Sequence, residues 1–163
     1  VAELLPIAQK ANIALSFEKG GGVRMPTMAD VGRLRFVFEN LIENAIKYSL
    51  QNGVVRVTLS PRVDDIVVTI SDNGIGIPES AQPNIFSKFF RADNAVKKDT
   101  EGNGIGLFVV KTIVVQHGGT IDFVSTEDRG TTFTVTLPSP QKFATLKIDK
   151  LSQTVSNATL QET

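Results

Sequence analysis

The chain has 163 residues and carries 17 acidic and 17 basic side chains, so its formal net charge is zero. A neutral chain lacks the overall positive field that draws proteins to nucleic acid or anionic lipid. It contains no cysteine, which excludes disulfide frameworks, zinc knuckles and thiol catalysis. No apolar run approaches the roughly 18 residues of a membrane span. Residue 1 is valine, so we expect a piece of a longer protein, whose other parts have room for a membrane anchor.

Helical and strand patterns mix along the chain without strict alternation, which predicts the α+β class with helices on one face of a mixed sheet. Gly118 and Gly119 end the last predicted helix. We expect a polar, mobile loop over 92–103 and a polar tail, disordered or leading into another segment, over 141–163. In chain order we predict helices over 1–11, 30–50, 79–86 and 105–116 and strands over 13–18, 54–60, 65–71, 120–125 and 131–137.

The helix predicted over 30–50, with Asp30 as its N-cap, carries a polar stripe beside its apolar face. Four side chains at i, i+4, i+7 and i+8 fall within roughly 100° of arc. Amide oxygens suit Mg²⁺, an ammonium suits phosphate and a tyrosine ring can cover a base. Each residue alone is more simply read as solvated, but together they indicate a magnesium-nucleotide site. The stripe consists of Asn40, Asn44, Lys47 and Tyr48.

A glycine-rich turn, Asp-Asn-Gly-Ile-Gly-Ile-Pro over 72–78, follows the strand predicted at 65–71. Asp72 at the strand end can accept a hydrogen bond from an exocyclic amine. Adenine offers that amine, whereas guanine presents a carbonyl at the equivalent position. The glycines let the backbone approach a base closely. The same residues are also ordinary turn chemistry, so the motif is ambiguous by itself.

A second glycine-rich segment, Gly-Asn-Gly-Ile-Gly-Leu over 102–107, opens the last predicted helix. Backbone N–H groups at a helix N-terminus form an anion site. The pattern is neither a Walker A motif, since it lacks Gly-Lys-Ser/Thr, nor a dinucleotide fingerprint. Arg91, Lys97 and Lys98 precede it and supply positive charge. Alone, the GxGxG spacing is a weak signal.

In this order the motifs resemble the ATP-binding catalytic domain of two-component histidine kinases, a branch of the superfamily that includes gyrase B, Hsp90 and MutL. NLIENAIKYS is similar to the N box, DNGIGIP to the G1 box, IFSKFFR to the F box and GNGIGLFVVK to the G2 box. HGGTI and GTTFTVTLP match the closing helix end and final strand, so the resemblance covers roughly residues 1–138. It implies a catalytic domain over 1–140 with a two-layer Bergerat sandwich, a mixed sheet of about five strands on three helices.

The resemblance implies catalytic roles for Asn40, Lys47 and Arg91 around the phosphates, with Asn44 as the Mg²⁺ ligand. Phe108 departs from the small residue that many relatives carry in the G2 helix, which puts the fit of that helix in doubt.

At the base, the resemblance implies that Tyr48 packs on the adenine, Asp72 accepts from its amine and Gly76 lies beneath it. Residues 92–103 would form a lid. The implied nucleotide-binding residues are Asn40, Asn44, Lys47, Tyr48, Asp72, Gly74, Gly76, Ile77, Arg91, Gly102, Gly104, Ile105, Gly106, Leu107 and Thr132.

The family's phosphoacceptor lies on a separate helical-hairpin domain, and His117, the single histidine, looks like a helix end. The resemblance therefore implies a histidine phosphotransferase fragment that uses ATP and Mg²⁺. Its expected partners are the histidine-bearing dimerisation domain of the same kinase and a response regulator, with a homodimeric parent. We expect a cytoplasmic domain without nucleic-acid or membrane contact, in a parent that could be held at the inner membrane.

Three other functions stay open: a hydrolytic ATPase relative, a serine kinase of the anti-sigma-factor type and a nucleotide-binding module without turnover. Hydrolytic relatives commonly carry a Glu four residues before the metal-binding Asn, and that position here is Asn40. The F box disfavours the first two alternatives, and the intact set of ligand positions disfavours the third.

Overall fold

The computed structural model describes residues 2–21, 29–140 and 142–146. The predicted class is confirmed: a mixed five-stranded sheet carries helices on one face. None of the helices in these ranges has the length and apolar character needed to cross a membrane. The helices are α1 (Leu5–Lys10), α2 (Val31–Tyr48), α3 (Asp93–Lys98) and α4 (Gly106–Gln116), with 3₁₀ turns at Ala2–Leu4 and Gln82–Asn84. The strands are β1 (Ala14–Lys19), β2 (Val54–Pro61), β3 (Asp65–Asp72), β4 (Thr120–Thr126) and β5 (Gly130–Pro138).

The sheet has the strand order β1-β2-β3-β5-β4, in which β1 and β2 are parallel and the other pairs are antiparallel. Val57 pairs with Ile70, and Ile70 pairs with Phe133. All three belong to the buried core beneath the helices. Because side chains alternate along a strand, this apolar row assigns one face of each strand to the core. The other face is mainly polar, with a few apolar residues such as Val67 and Val124.

Helix α2 has a side-chain cap at each end, and its N-cap is Asp30, as predicted. The Asp30 carboxylate accepts from the Arg33 backbone N–H at 3.0 Å, and the Ser49 hydroxyl donates to the Ala45 carbonyl at 2.7 Å. Val37 and Leu41 have no exposed surface. Their burial fixes the rotation of α2, so the polar stripe must lie along the edge of the core.

His117 joins the end of α4 to the start of α2. Its Nδ1 lies 2.8 Å from the Ile113 carbonyl oxygen, and its Nε2 accepts from the Asp30 backbone N–H at 3.2 Å. These partners require the neutral tautomer with its proton on Nδ1. The prediction of a helix-end histidine is confirmed, because His117 is the C-cap of α4.

Two predicted segments are wrong. The helix predicted over 79–86 is a series of turns around the 3₁₀ turn Gln82–Asn84, where the bonds run from i+3 to i and Pro83 has no N–H to continue a helix. The loop predicted over 92–103 contains α3. Asp93 in its first turn and Lys97 and Lys98 in its last turn complement the helix dipole.

The predicted tail over 141–163 falls mostly outside the described residues, which include only 142–146 of it. Those five residues are helical. The Lys142 ammonium lies 2.8 Å from one Asp65 carboxylate oxygen, and its backbone N–H donates to the Ser139 hydroxyl at 3.3 Å. Lys142 therefore contacts the sheet, through Asp65 of β3, beyond the predicted boundary at 140.

Candidate nucleotide-binding site

A cavity of about 310 Å³ lies between α2, α3, the turn after β3 and the start of α4. Its volume falls at the lower end of the range typical of small-molecule sites. The fold thus brings together three motifs that are distant in the sequence. The predicted residues that line it are Asn40, Asn44, Lys47, Tyr48, Asp72, Gly76, Ile77, Arg91, Gly102, Gly104, Gly106 and Leu107.

Asp72 is a fixed acceptor at one end of the cavity. One carboxylate oxygen, Oδ1, accepts from the backbone N–H groups of Gly74 at 2.8 Å and Thr131 at 3.2 Å. Burial raises the pKa of Asp72, and the two backbone hydrogen bonds partly offset that rise. Within the described ranges Oδ2 has no hydrogen-bond partner, so it is available to a donor in the cavity.

Two glycines allow the turn after β3 to close against its neighbours. A Cβ at Gly74 would lie 2.2 Å from the Tyr48 carbonyl oxygen, and one at Gly76, where φ is +61°, would lie 2.0 Å from the Thr126 carbonyl oxygen. Gly74 itself does not line the cavity, contrary to its predicted place in the site. It acts instead on Asp72, through its N–H group.

Thr132 was predicted in the site, but the neighbouring Thr131 lines the cavity. The Thr132 hydroxyl lies 2.8 Å from the Ser71 hydroxyl on the opposite face of the sheet. Thr131 shares the core-facing side with Phe133, because side chains two apart on a strand point the same way. That alternation was readable in the sequence, where the large apolar residues of β5 occupy the odd positions.

The amide pair of the α2 stripe lies against the start of α4. The Asn44 Nδ2 donates to Asn40 Oδ1 at 3.2 Å. A Cβ at Gly106 would lie 2.8 Å from the Asn40 amide, so glycine permits this approach. The Asn44 oxygen has no hydrogen-bond partner in the described part of the chain, and a free amide oxygen at a cavity wall suits Mg²⁺.

Ile105 and Phe108 lie in the G2 segment, which is the G2 box over 102–111, and do not line the cavity. Ile105, predicted in the site, is the N-cap of α4, and its N–H donates to Asn103 Oδ1 at 3.1 Å. The Lys88 ammonium lies 4.8 Å from the centroid of the Phe108 ring. Phe108 therefore lies outside the cavity lining, beside Lys88.

Lys47 and Arg91, the two predicted phosphate contacts, meet at the Asp99 carboxylate. Lys47 Nζ forms an ion pair with Asp99 Oδ2, and Arg91 Nη2 lies 3.4 Å from the same oxygen. The hydrogen bond from the Lys47 ammonium is the main reason why the pKa of Asp99 lies below its ordinary value. Arg91 also donates to the Gly102 carbonyl at 2.9 Å. Nothing in the sequence pattern singled out Asp99.

Helix α3 covers the cavity and forms hydrogen bonds to two further segments, the turn after β3 and the end of α2. The Asn94 amide donates to the Gly76 carbonyl at 3.0 Å, and Lys98 Nζ donates to the Ser49 carbonyl at 2.5 Å. Residues 92–103 thus bridge the turn after β3 and the end of α2. Asn94 also lines the cavity, which the sequence does not predict because its polar segment is typical of a loop. The mobility of this segment stays a prediction.

The F box divides between core and surface. The Phe86 ring packs edge-on against Phe123, with centroids 5.9 Å apart, and Phe90 lines the cavity. Phe89 is 72% exposed and has a positive φ of 63°. Its N–H donates to the Gly104 carbonyl at 3.0 Å, so the G2 segment helps to hold this strained residue outward.

Sequence comparison identifies the family. The family described as histidine kinase-, DNA gyrase B- and HSP90-like ATPase matches residues 29–141. Over 110 residues, 68% of this chain and 15% of the relative, the chain is 41% identical to the circadian input-output histidine kinase CikA of Synechococcus elongatus. It is 42% identical over 109 residues to the heme sensor protein HssS of Staphylococcus saprophyticus, covering 67% of this chain and 23% of HssS. The chain thus spans less than a quarter of each of these relatives.

Solved structures agree with this assignment. The catalytic domain of histidine kinase ThkA superposes with a TM-score of 0.72 at 29% identity, covering 85% of this chain and 88% of that domain. The full-length histidine kinase ShkA superposes with a TM-score of 0.73 at 25% identity, covering 85% of this chain and 28% of ShkA. The chain therefore belongs to the histidine kinase-, DNA gyrase B- and HSP90-like ATPase family, as an ATP-binding catalytic domain of the sensor histidine kinase type.

Proposed function

We propose that this chain binds Mg-ATP in the cavity and donates the γ-phosphate to a histidine on a separate dimerisation domain of its parent kinase. A response-regulator aspartate would then take the phosphate. The observation that carries the proposal is the polarity of the cavity. A free carboxylate oxygen of Asp72 lies at one end, and the amides of Asn40 and Asn44 lie beside the glycine-rich start of α4 at the other.

The base and phosphate ends require different chemistry, and the cavity offers both. Asp72 accepts the adenine amine, while Tyr48 and Ile77 supply apolar surface for the ring. Lys47 and Arg91 neutralise phosphate charge once they are released from Asp99. Asn44 is the proposed Mg²⁺ ligand, and the ion would shield charge between the β- and γ-phosphates. Thr131 positions Asp72 through its backbone N–H.

Phosphoryl transfer needs mainly positioning and charge neutralisation. A histidine imidazole nitrogen would attack the γ-phosphorus, and the bond from that phosphorus to the β–γ bridging oxygen would break, leaving ADP. Asn40 lines the cavity and would stand beside the phosphates, but its amide cannot accept a proton. That chemistry suits a phosphate donor that keeps ATP intact until the histidine arrives.

The proposed partners follow from the relatives. ThkA has been solved in complex with the response regulator TrrA, with a TM-score of 0.69 at 27% identity to this chain. The ShkA structure holds AMPPNP. We extend the response regulator and the adenine nucleotide to this chain on those grounds. The homodimeric parent that supplies the histidine is proposed from the sequence resemblance alone.

The isolated chain is expected to bind Mg-ATP but not to label itself. Both ring nitrogens of His117 are occupied by backbone partners, so this histidine is a poor acceptor. Calorimetry with Mg-ATP and incubation with γ-labelled ATP check the two halves of this prediction. The positive control adds a histidine-bearing acceptor domain in trans, which should acquire an acid-labile label. Acid-labile phosphate on this chain alone would contradict the prediction, and absence of ATP binding would remove the proposed function.

Charge at Phe89 is expected to block transfer to that added acceptor domain while ATP still binds. The ring is exposed, and Asp tolerates the positive φ that Phe89 adopts, so Phe89→Asp should fold. We expect labelling of the acceptor to fall by at least about tenfold if Phe89 anchors the interface. Val124→Asp is the matched control, because Val124 is 77% exposed on β4. Equal labelling rates for the two variants would exclude Phe89 from docking.

A further inference from the structure

The Asp99 carboxylate gathers three donors at one oxygen. Its Oδ2 forms ion pairs with Lys47 and with Arg91, the latter at 3.4 Å, and accepts from the Gly102 backbone N–H at 3.1 Å. The side chain is only 18% exposed, so these contacts are partly shielded from water. The donors come from three separate parts of the site: α2, the F box and the start of the G2 segment.

This donor set is one that a nucleotide phosphate oxygen would require. Lysine and arginine neutralise phosphate charge, and backbone N–H groups of a glycine-rich segment bind its oxygens. A carboxylate oxygen presents the same negative charge and acceptor geometry. Two anions cannot share these donors closely, because their repulsion in a partly dry cavity is strong.

From this geometry we infer that Asp99 is an internal competitor for nucleotide phosphates: its carboxylate holds Lys47, Arg91 and the Gly102 N–H until phosphate displaces it. The inference rests on the proposed function for the identity of the ligand. Competition by Asp99 lowers the affinity of the site for phosphate below what these donors would otherwise provide. Binding at the base end is unaffected, because Asp72 makes no contact with Asp99 or its three donors.

Displacement would also act on the helix that covers the cavity. Asp99 is the C-cap of α3. It directly follows Lys98, whose ammonium donates to the Ser49 carbonyl at the end of α2. A phosphate that takes Lys47 and Arg91 removes both ion pairs of Asp99. Arg91 would also give up its hydrogen bonds to the carbonyls of Ala95, at 3.3 Å, and Asp99, which lie at the same end of α3. The Asn94 contact with the Gly76 carbonyl, at the other end of the helix, is independent of that exchange.

The test compares Asp99→Asn with Glu101→Gln by calorimetry against Mg-ATP, inorganic tripolyphosphate and adenosine. Asparagine keeps an oxygen that can accept from the Gly102 N–H, while the charge that holds Lys47 and Arg91 is lost. Glu101 is an exposed acid two residues away that forms no ion pair within the described ranges, so its variant controls for net charge. We expect Asp99→Asn to bind Mg-ATP and tripolyphosphate roughly five- to tenfold more tightly than Glu101→Gln. Adenosine should bind both variants equally.

The outcomes separate this inference from the proposed function. Unchanged or weaker binding of both phosphate ligands by Asp99→Asn would overturn the competitor role, and weaker Mg-ATP binding alone would instead make Asp99 a site ligand. If the native chain bound no adenine nucleotide, the proposed function would fail. In that case, tighter tripolyphosphate binding by Asp99→Asn would still support competition for Lys47, Arg91 and the Gly102 N–H. Unchanged tripolyphosphate binding would overturn the competitor role.

Discussion

Asp72→Asn is expected to weaken ADP binding by roughly tenfold to a hundredfold, since a hydrogen bond to a charged acceptor contributes about 1.5–3 kcal/mol. The native carboxylate offers its Oδ2 to the cavity while Oδ1 is held by Gly74 and Thr131. In the variant an amide oxygen can keep the two backbone partners. The amide NH₂ group would then face the adenine amine, and two donors would oppose each other.

Asp122→Asn is the matched control, because Asp122 is an exposed carboxylate on β4 with no ion pair in the described part of the chain. It should leave ADP affinity unchanged. GTP should bind the native chain poorly, since guanine presents a carbonyl where Asp72 needs a donor. Tripolyphosphate should bind Asp72→Asn as it binds the native chain. Unchanged ADP affinity in calorimetry would remove Asp72 from the site.

The cavity-lining residues that the sequence places best are those whose position follows from a single periodic element. Asn40, Asn44, Lys47 and Tyr48 share a face because a helix repeats every 3.6 residues, and the burial of Val37 and Leu41 orients that face. Asp72 is predictable because a strand end that meets a glycine-rich turn has a defined geometry. In both cases local structure alone places the side chain.

The residues that were missed depend on contacts between distant segments. Asp99 contacts Lys47 and Asn94 contacts Gly76, and both partners lie on other elements. The segment that carries Asp99 and Asn94 is polar and has few apolar residues, so its composition predicts a loop. Helix α3 is stabilised by these tertiary contacts more than by its own six residues, which are too few for an independent helix. Thr131 differs from these residues, because strand alternation alone places it, and not Thr132, on the core-facing side of β5.

Native turnover of ATP without an acceptor is expected to be far below the rate of about one per second at which ordinary enzymes begin. Water is a poor nucleophile unless a group orients it and accepts its proton. Asn40 occupies the position where hydrolytic relatives commonly carry Glu, and its amide, held by Asn44, has no useful basicity. Release of inorganic phosphate from saturating Mg-ATP measures this rate, and a value near one per second or faster would favour a hydrolytic relative over a kinase.

Asn40→Glu should raise that rate by about a hundredfold, the lower range for a positioned general base, provided Mg-ATP still binds. Asn40→Gln is the matched control, because it adds the same length beside Gly106 without adding a base. Glu43 follows Asn40 by three residues and lies about 100° round the helix from Asn44. It also lines the cavity, exposed at its rim. Glu43→Gln therefore distinguishes the sources of any residual turnover. A rate that falls in Glu43→Gln assigns the residual activity to Glu43 acting through water, whereas a rate that stays unchanged leaves the site without a base. If Asn40→Glu binds Mg-ATP as the native chain does and hydrolyses it no faster, the missing carboxylate is not what spares ATP.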